Sequence, residues 1–286
     1  MTPVKTGRST DTGQGRPWAR LPWCAPVLIF LLALTLLVGG CNGGGESVEL
    51  VKKARAMMEA GNHEDAARNF ATVAELAPNS PLGESSLFWA ANLYHHFLND
   101  TEEAIRHYQR LVVDYPRGRF FYHSKENLAE IYAEDTDSLH RALQLYQQLL
   151  LAERLKDRHD TFRYRLGRLN MELGKMDQAR LEFRNLLTSH PDSPYRSEVY
   201  YLTAYTYYLE KRMDLALLVF SQTAKTFPNQ PISVRARYFV ADTLEEQGRM
   251  KEALKAFTAL KAEHPNPAVV EKRIVSLKGR MRRSVR

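Results

Sequence analysis

The residues that could perform acid–base or metal chemistry are scattered along the chain. The nine histidines include one adjacent pair, His95 and His96. On a helix, neighbouring side chains point about 100° apart, so this pair suits neither metal chelation nor a base with an orienting partner. No HExxH, GxSxG, GxGxxG or complete P-loop sequence occurs, and carboxylate pairs such as Glu102 with Glu103 are typical of solvated helix faces. We therefore expect no catalytic site, metal site or cofactor, and no enzyme activity.

Aromatic side chains at helical spacing are the clearest binding chemistry in the sequence. Tyr201, Tyr205 and Tyr208 are spaced i, i+4 and i+7, so they share one face of a helix. Tyr200 and Tyr207 belong to an adjacent face of the same helix. A helix that is aromatic on two faces has more apolar surface than its own helix pair can bury. Because tyrosines provide a large contact area at low entropic cost, this second face is a candidate partner-binding surface.

An internal repeat supplies the elements that position these residues. An alanine followed four residues later by Phe or Tyr recurs six times, at intervals of 37 or 38 residues, and five of the six units have a proline twelve residues after the alanine. Apolar residues recur at i, i+3, i+4 and i+7 in both halves of each unit, which predicts two helices per unit. The pairs are Ala66/Phe70, Ala104/Tyr108, Ala142/Tyr146, Ala179/Phe183, Ala216/Phe220 and Ala253/Phe257.

This pattern resembles the tetratricopeptide repeat. A small residue stands at the eighth position of each unit, and a turn glycine such as Gly61 or Gly174 precedes the alanine, aromatic and proline positions. The resemblance implies an all-α solenoid of about six helix-turn-helix units over 47–266, followed by a capping helix over 267–286. The third unit departs most, because it lacks both the turn glycine and the proline.

The extended links between the units are a second point of resemblance. Segments such as 78–81, with prolines at both ends, also occur in the repeat lipoprotein of the β-barrel assembly machinery (BamD type) and in the TolA-binding cell-division coordinator. The segment from Ala204 to Tyr208 is similar to the first of these families, although it lies in the fifth of six units here. The chain therefore resembles both kinds of envelope protein at the level of architecture.

The register of the tetratricopeptide repeat implies where the second tyrosine face lies. In that family it corresponds to the inner, concave surface, which predicts a groove for a protein or peptide partner. The alternative is that tight superhelical winding packs these tyrosines against the neighbouring repeat. The predicted groove residues are Phe88, Asn92, His95, Tyr164, Arg168, Tyr201, Tyr205, Tyr208, Arg235 and Tyr238, with Asp242 as a further polar member.

The third unit carries an acidic stripe on one helix. Glu126, Glu130 and Glu134 are spaced i, i+4 and i+8. Such a stripe is usually a solvated face. If it lines the groove, it favours a basic or polar partner segment beside the tyrosines.

The N-terminus has the pattern of an export signal. A basic leader precedes twelve apolar or near-apolar residues over 27–38, and the next residues end in Cys41. The sequence from Val38 to Cys41 resembles the lipobox of bacterial lipoproteins, which implies a signal peptide over 1–40, a diacylated Cys41 and a lipid-anchored tether over 41–46. Asn42 after the cysteine implies transfer to the outer membrane. The alternative is an uncleaved anchor over 21–41.

Charge is concentrated at the two ends of the chain. The formal charge is +7, but residues 41–266 sum to −2, so the body is not expected to bind nucleic acid. The tail places Val270, Ile274, Leu277 and Met281 at helical spacing, with its basic residues largely elsewhere. We expect a cap on the last repeat, and contact with anionic lipid or an acidic partner is the alternative role.

The sequence therefore predicts a lipid-anchored, periplasm-facing outer-membrane scaffold that binds proteins or peptides of the cell envelope. The closest specific role is that of a β-barrel assembly accessory factor. Other roles that remain open are a pilotin-like factor for secretin or pilus assembly, a Tol-associated coordinator, and an activator of a cell-wall enzyme.

Overall fold

The computed structural model describes residues 43–283. The chain divides into two units, 1–49 and 50–286, and of the first unit only the start of one helix is described. Residues 43–283 contain thirteen α-helices and two short 3-10 helices, without a strand among them. The α-helices are α1 (Gly43–Glu59), α2 (His63–Leu76), α3 (Pro81–His96), α4 (Thr101–Asp114), α5 (Phe121–Glu134), α6 (Leu139–Leu150), α7 (His159–Glu172), α8 (Met176–Ser189), α9 (Arg196–Leu209), α10 (Met213–Thr226), α11 (Pro231–Glu246), α12 (Met250–Leu260) and α13 (Pro267–Arg283).

Consecutive helices pair as the repeat predicts, so that repeats 1 to 6 are the pairs α1/α2 to α11/α12. The alanine and the aromatic residue of every repeat are at most 2% exposed. The small alanine allows two helices to approach closely, and the aromatic ring one turn later fills the space between them. The all-α repeat architecture predicted from the sequence is confirmed.

The turn inside five of the six repeats has a residue with a left-handed backbone. Gly61, Gly174 and Gly248 have φ of 80°, 72° and 75°, and the same turn position is taken by Asn99 and Lys211, with φ of 52° and 59°. Glycine adopts this conformation without a Cβ clash, whereas other residues are strained there. Only the third repeat lacks such a turn among the described residues.

The third repeat is irregular in its inner turn and in the link that follows it. A 3-10 helix, Thr136–Ser138, joins α5 to α6, and a second 3-10 helix, Glu153–Arg158, follows α6 in the place of a proline. In the second repeat, by contrast, α4 ends at Asp114, shortly before Pro116. Without the proline that stops the other second helices, the chain passes through an extended residue, Ala152, into a 3-10 helix that is broken at Leu155.

Helices occupy both ends of the described chain. Helix α1 begins at Gly43, so residues 43–46 of the predicted tether are helical, and Glu46 lies in the first turn, where its charge favours the helix dipole. At the other end, α13 buries Val270, Ile274 and Leu277 in one cluster with Phe257. Within 43–283, none of the helices combines the length and apolar character that crossing a membrane would require.

Candidate functional site

All ten predicted groove residues lie on the first helices of their repeats. The structure separates them into a tyrosine cluster on α9 and α11, two aromatic contacts on α3 and α7, and a charged pocket between α3, α5 and α7. Cys41, the predicted lipid attachment site, lies outside the described residues.

The tyrosines of α9 form a ladder of parallel rings. Tyr201 and Tyr205 have ring centroids 6.2 Å apart with an interplanar angle of 6°, and Tyr205 and Tyr208 are 6.1 Å apart at 7°. All three rings meet Phe239 of the next repeat nearly edge-on, at 5.8, 5.4 and 5.4 Å. Edge-to-face contact of this kind is favourable between aromatic rings. The tyrosine ladder therefore packs between repeats 5 and 6.

Burial differs along the tyrosine ladder. Tyr201 is 5% exposed, whereas Tyr205 and Tyr208 are half-buried. The prediction that Tyr201 contacts a partner is therefore corrected, because the neighbouring repeat already covers its ring. Phe239, which is not among the predicted groove residues, is the residue that covers it. Its neighbour Tyr238, which is among them, packs on Phe257 with ring centroids 5.4 Å apart.

Arg235 covers the outer side of Tyr201. Its guanidinium lies 4.3 Å from the ring centroid and also pairs with Glu198 at 3.1 Å. Burial raises the pKa of Tyr201, and the charge of Arg235 opposes this shift. Arg235 is exposed, so it remains available on the surface while it holds the tyrosine beneath it.

The end of the tyrosine ladder is joined to the capping helix. The Tyr208 hydroxyl donates to Oδ2 of Asp242 at 2.5 Å, and Arg273 of α13 binds the other oxygen of Asp242. Arg273 also pairs with Glu245 at 2.8 Å, and Arg280 binds Glu245 as well. Burial and the nearby carboxylate raise the pKa of Tyr208.

These ion pairs reduce the number of basic side chains in the tail that could contact anionic lipid. Two of its basic residues, Arg273 and Arg280, are engaged by the last turn of α11. The remaining basic residues of α13 are exposed: Lys272, Lys278, Arg282 and Arg283. Among the basic residues of 267–283, this second set is the one left for contact with an anionic surface.

Phe88 and Tyr164 each stack on an aromatic residue that precedes the next first helix. Phe88 lies 4.2 Å from Phe120, and Tyr164 lies 4.3 Å from Tyr195, with interplanar angles of 15° and 12°. Both are half-buried. The Asn92 amide donates to the backbone oxygen of Phe88 at 2.7 Å. Phe88 and Tyr164 consequently pack against the links between repeats, whereas the Asn92 bond lies within α3.

A pocket of about 380 Å³ brings the other predicted residues together. His95 comes from α3 and Arg168 from α7, and Glu130 and Glu134 of the acidic stripe come from α5. The remaining walls include His96, Ala133, Tyr146, Arg165, Leu169 and Glu172.

Two ion pairs neutralise part of the pocket wall. Glu130 lies 3.6 Å from Arg165, and Arg168 lies 3.7 Å from Glu172. Burial is the main cause that lowers the pKa of His95, so this imidazole is neutral at pH 7. Glu126, the first member of the stripe, lies outside the pocket wall and is bound by Arg158 at 2.6 Å.

Within the described part of the chain, histidine, cysteine and acidic residues do not form a group of three or more that could hold a metal ion. The surface built by the first helices is thus aromatic and ionic, and its groups are suited to holding a polypeptide.

Three family models match parts of the chain. A model described as an outer membrane lipoprotein (YfiO) matches residues 156–249, which include the tyrosine ladder. Two tetratricopeptide-repeat models match residues 51–120 and 237–267. No curated protein sequence matches the chain.

Solved structures share the fold at low sequence identity. A tetratricopeptide repeat protein from Parabacteroides merdae has a TM-score of 0.53 at 16% identity, covering 81% of this chain and 98% of its own. PilF of Pseudomonas aeruginosa has a TM-score of 0.50 at 14% identity, covering 82% and 99%. YrrB, described as having an unusual peptide-binding site, has a TM-score of 0.51 at 15% identity, covering 71% and 97%. The chain therefore has the tetratricopeptide-repeat fold, and its residues 156–249 match an outer membrane lipoprotein family.

Proposed function

We propose that this chain is a lipid-anchored scaffold of the outer membrane that faces the periplasm and binds envelope proteins. The observation that carries the proposal is the match of residues 156–249 to an outer membrane lipoprotein family. The lipobox-like sequence ending in Cys41 supports it independently, because it lies outside the matched residues.

The binding surface in this proposal is the inner face of the first helices. It offers the pocket between α3, α5 and α7, and the half-buried rings of Tyr205 and Tyr208. Half-buried aromatic rings next to charged groups are typical anchors for a polypeptide. YrrB, which shares the fold, is a protein with a peptide-binding site.

Within this class of scaffold, the specific role that we propose is an accessory factor in β-barrel assembly. The test is purification of the lipidated protein from detergent-solubilised envelopes, with mass spectrometry of the proteins that stay bound. Recovery of the barrel-assembly core subunit supports the role. Recovery of a secretin, Tol components or a cell-wall synthase in its place contradicts it and keeps only the scaffold.

The anchor has its own test. Cys41→Ala removes the sulfur that would carry the lipid, so the variant should accumulate as an unprocessed precursor in the inner membrane. Cys24→Ala is the matched control, since Cys24 lies within the expected signal peptide. Immunoblots of separated inner and outer membranes measure the size and the membrane location of both variants. A Cys41→Ala protein with unchanged size and fractionation would overturn the lipid anchor.

A further inference from the structure

The aromatic position of the repeats singles out one hydroxyl group. Four repeats have Phe there and two have Tyr, Tyr108 and Tyr146, so packing alone does not require the hydroxyl. The Tyr108 hydroxyl accepts a hydrogen bond from Nδ2 of Asn127 at 2.8 Å. Tyr146 is only 1% exposed, and none of the described residues hydrogen-bonds to its hydroxyl. A polar group in such a position usually has one.

The missing partner of Tyr146 can come from the pocket. Tyr146 forms part of the wall between α3, α5 and α7. The charges of Arg165 and Glu130, two other residues of this wall, act on its hydroxyl. A ligand in the pocket can therefore satisfy a group that the protein leaves open.

The pocket has an uncompensated negative charge. Its two arginines are matched by Glu130 and Glu172. Glu134 has no ion pair with a lysine or arginine of the described chain, and the neutral His95 adds no positive charge. Glu134 is also the last residue of α5.

The helix ends around the pocket add to this negative potential. Helix α3 ends at His96, α5 at Glu134 and α7 at Glu172, and all three residues line the pocket. The C-terminal end of a helix carries a partial negative charge from carbonyl groups that lack intrahelical partners. Three such ends and one unmatched carboxylate favour a cation over an anion.

We propose that this pocket binds a lysine or arginine side chain of a partner polypeptide, with Glu134 and the Tyr146 hydroxyl as acceptors for its charged end. Leu169 and Ala133 in the wall provide apolar contact for the aliphatic stem. This inference deepens the proposed function. It rests on that function in one respect, because the lysine or arginine is taken to belong to a protein partner.

The experiment measures fluorescence anisotropy of two short labelled peptides, one of alternating lysine and serine and one of alternating glutamate and serine, against the full-length protein in detergent. The lysine peptide should bind and the glutamate peptide should not. Glu134→Gln should weaken the binding about tenfold, and Tyr146→Phe about threefold. Phe occupies the position of Tyr146 in four other repeats, so the variant is expected to fold.

Two controls make the result specific. Tyr108→Phe removes a hydroxyl that is already bonded to Asn127, and Glu102→Gln removes an exposed carboxylate outside the pocket. Neither should change the affinity for the lysine peptide by more than about twofold.

Preferential binding of the glutamate peptide would overturn the proposal. So would equal binding of the lysine peptide by the unchanged protein, Glu134→Gln and Tyr146→Phe. If these results appear while envelope partners are still recovered from membranes, only the cation pocket is wrong and the scaffold function stands.

Discussion

The Tyr208 hydroxyl lies 2.5 Å from Oδ2 of Asp242, and this hydrogen bond joins the first helix of repeat 5 to that of repeat 6. Asp242 is 8% exposed and also binds Arg273 of α13. A buried carboxylate is costly unless its oxygens are satisfied. Here a phenol takes one oxygen and a guanidinium takes the other, so three helices meet at one side chain.

The first prediction concerns this hydrogen bond. Tyr208→Phe should lower the free energy of unfolding by about 1 to 2 kcal/mol, because it leaves a buried carboxylate oxygen without its donor. Tyr205→Phe is the matched control, since the Tyr205 ring is in the same ladder and none of the described residues hydrogen-bonds to its hydroxyl. Urea unfolding followed by circular dichroism measures both. Equal losses in the two variants would mean that the bond to Asp242 is not stabilising.

The second prediction uses two glycines in helices. A Cβ at Gly167 would lie 2.1 Å from the ring of Phe183, whereas a Cβ at Gly279 would meet nothing within 4 Å. Gly167→Ala should therefore lower stability by about 1 to 3 kcal/mol through overpacking. Gly279→Ala should raise it by about 0.5 to 1 kcal/mol, since alanine is the better helix former. A neutral Gly167→Ala in thermal unfolding would show that the repeat register is wrong.

The third prediction concerns the strained turn of repeat 5. Lys211 has φ of 59° where three other repeats have glycine. Lys211→Gly should raise the free energy of unfolding by about 0.5 to 1 kcal/mol, because relief of the left-handed strain exceeds the entropic cost of glycine. Lys255→Gly, at an exposed position inside α12, should lower it by about 1 kcal/mol. A change of the same sign in both variants would contradict this account.

The fourth prediction is a pH dependence of stability. Burial lowers the pKa of His107, whose ring stacks on Tyr94 at 5.5 Å. The unfolded chain then binds a proton more readily than the folded one, so stability falls as the pH drops below about 6.5. His107→Phe keeps the stacked ring and removes the titration.

The measurement for this prediction is the melting temperature at pH 7.5 and at pH 5.5. The loss between the two should be smaller in His107→Phe than in the unchanged protein. A residual loss is expected, because burial lowers the pKa of His95 in the same direction. Identical losses would show that His107 does not contribute.

The repeat itself could be predicted because its packing is local. The alanine and aromatic of each repeat contact a helix next to them in the chain, so periodicity alone identifies them. The irregular links around α6 were not predictable in detail. Where Pro116 marks the end of one repeat, the third offers no glycine or proline, so periodicity alone does not predict its two 3-10 helices.

The site was predictable only in part, because helix faces do not show what covers them. The spacing of the tyrosines placed them correctly on one face, but Tyr201 is covered by Phe239, and only the structure brings the two together. The sequence predicts only a packing role for Tyr146. The signal for its hydroxyl is that four of the six repeats have Phe at that position.

The contact between α13 and repeat 6 also affects how the C-terminal end of the repeat array unfolds. In a linear array of repeats each unit touches only its neighbours, so terminal units are the first to fray. At this end, Asp242 connects α9 and α11 to α13 through Tyr208 and Arg273. We therefore expect repeats 5 and 6 and α13 to exchange their amide hydrogens as one cooperative block.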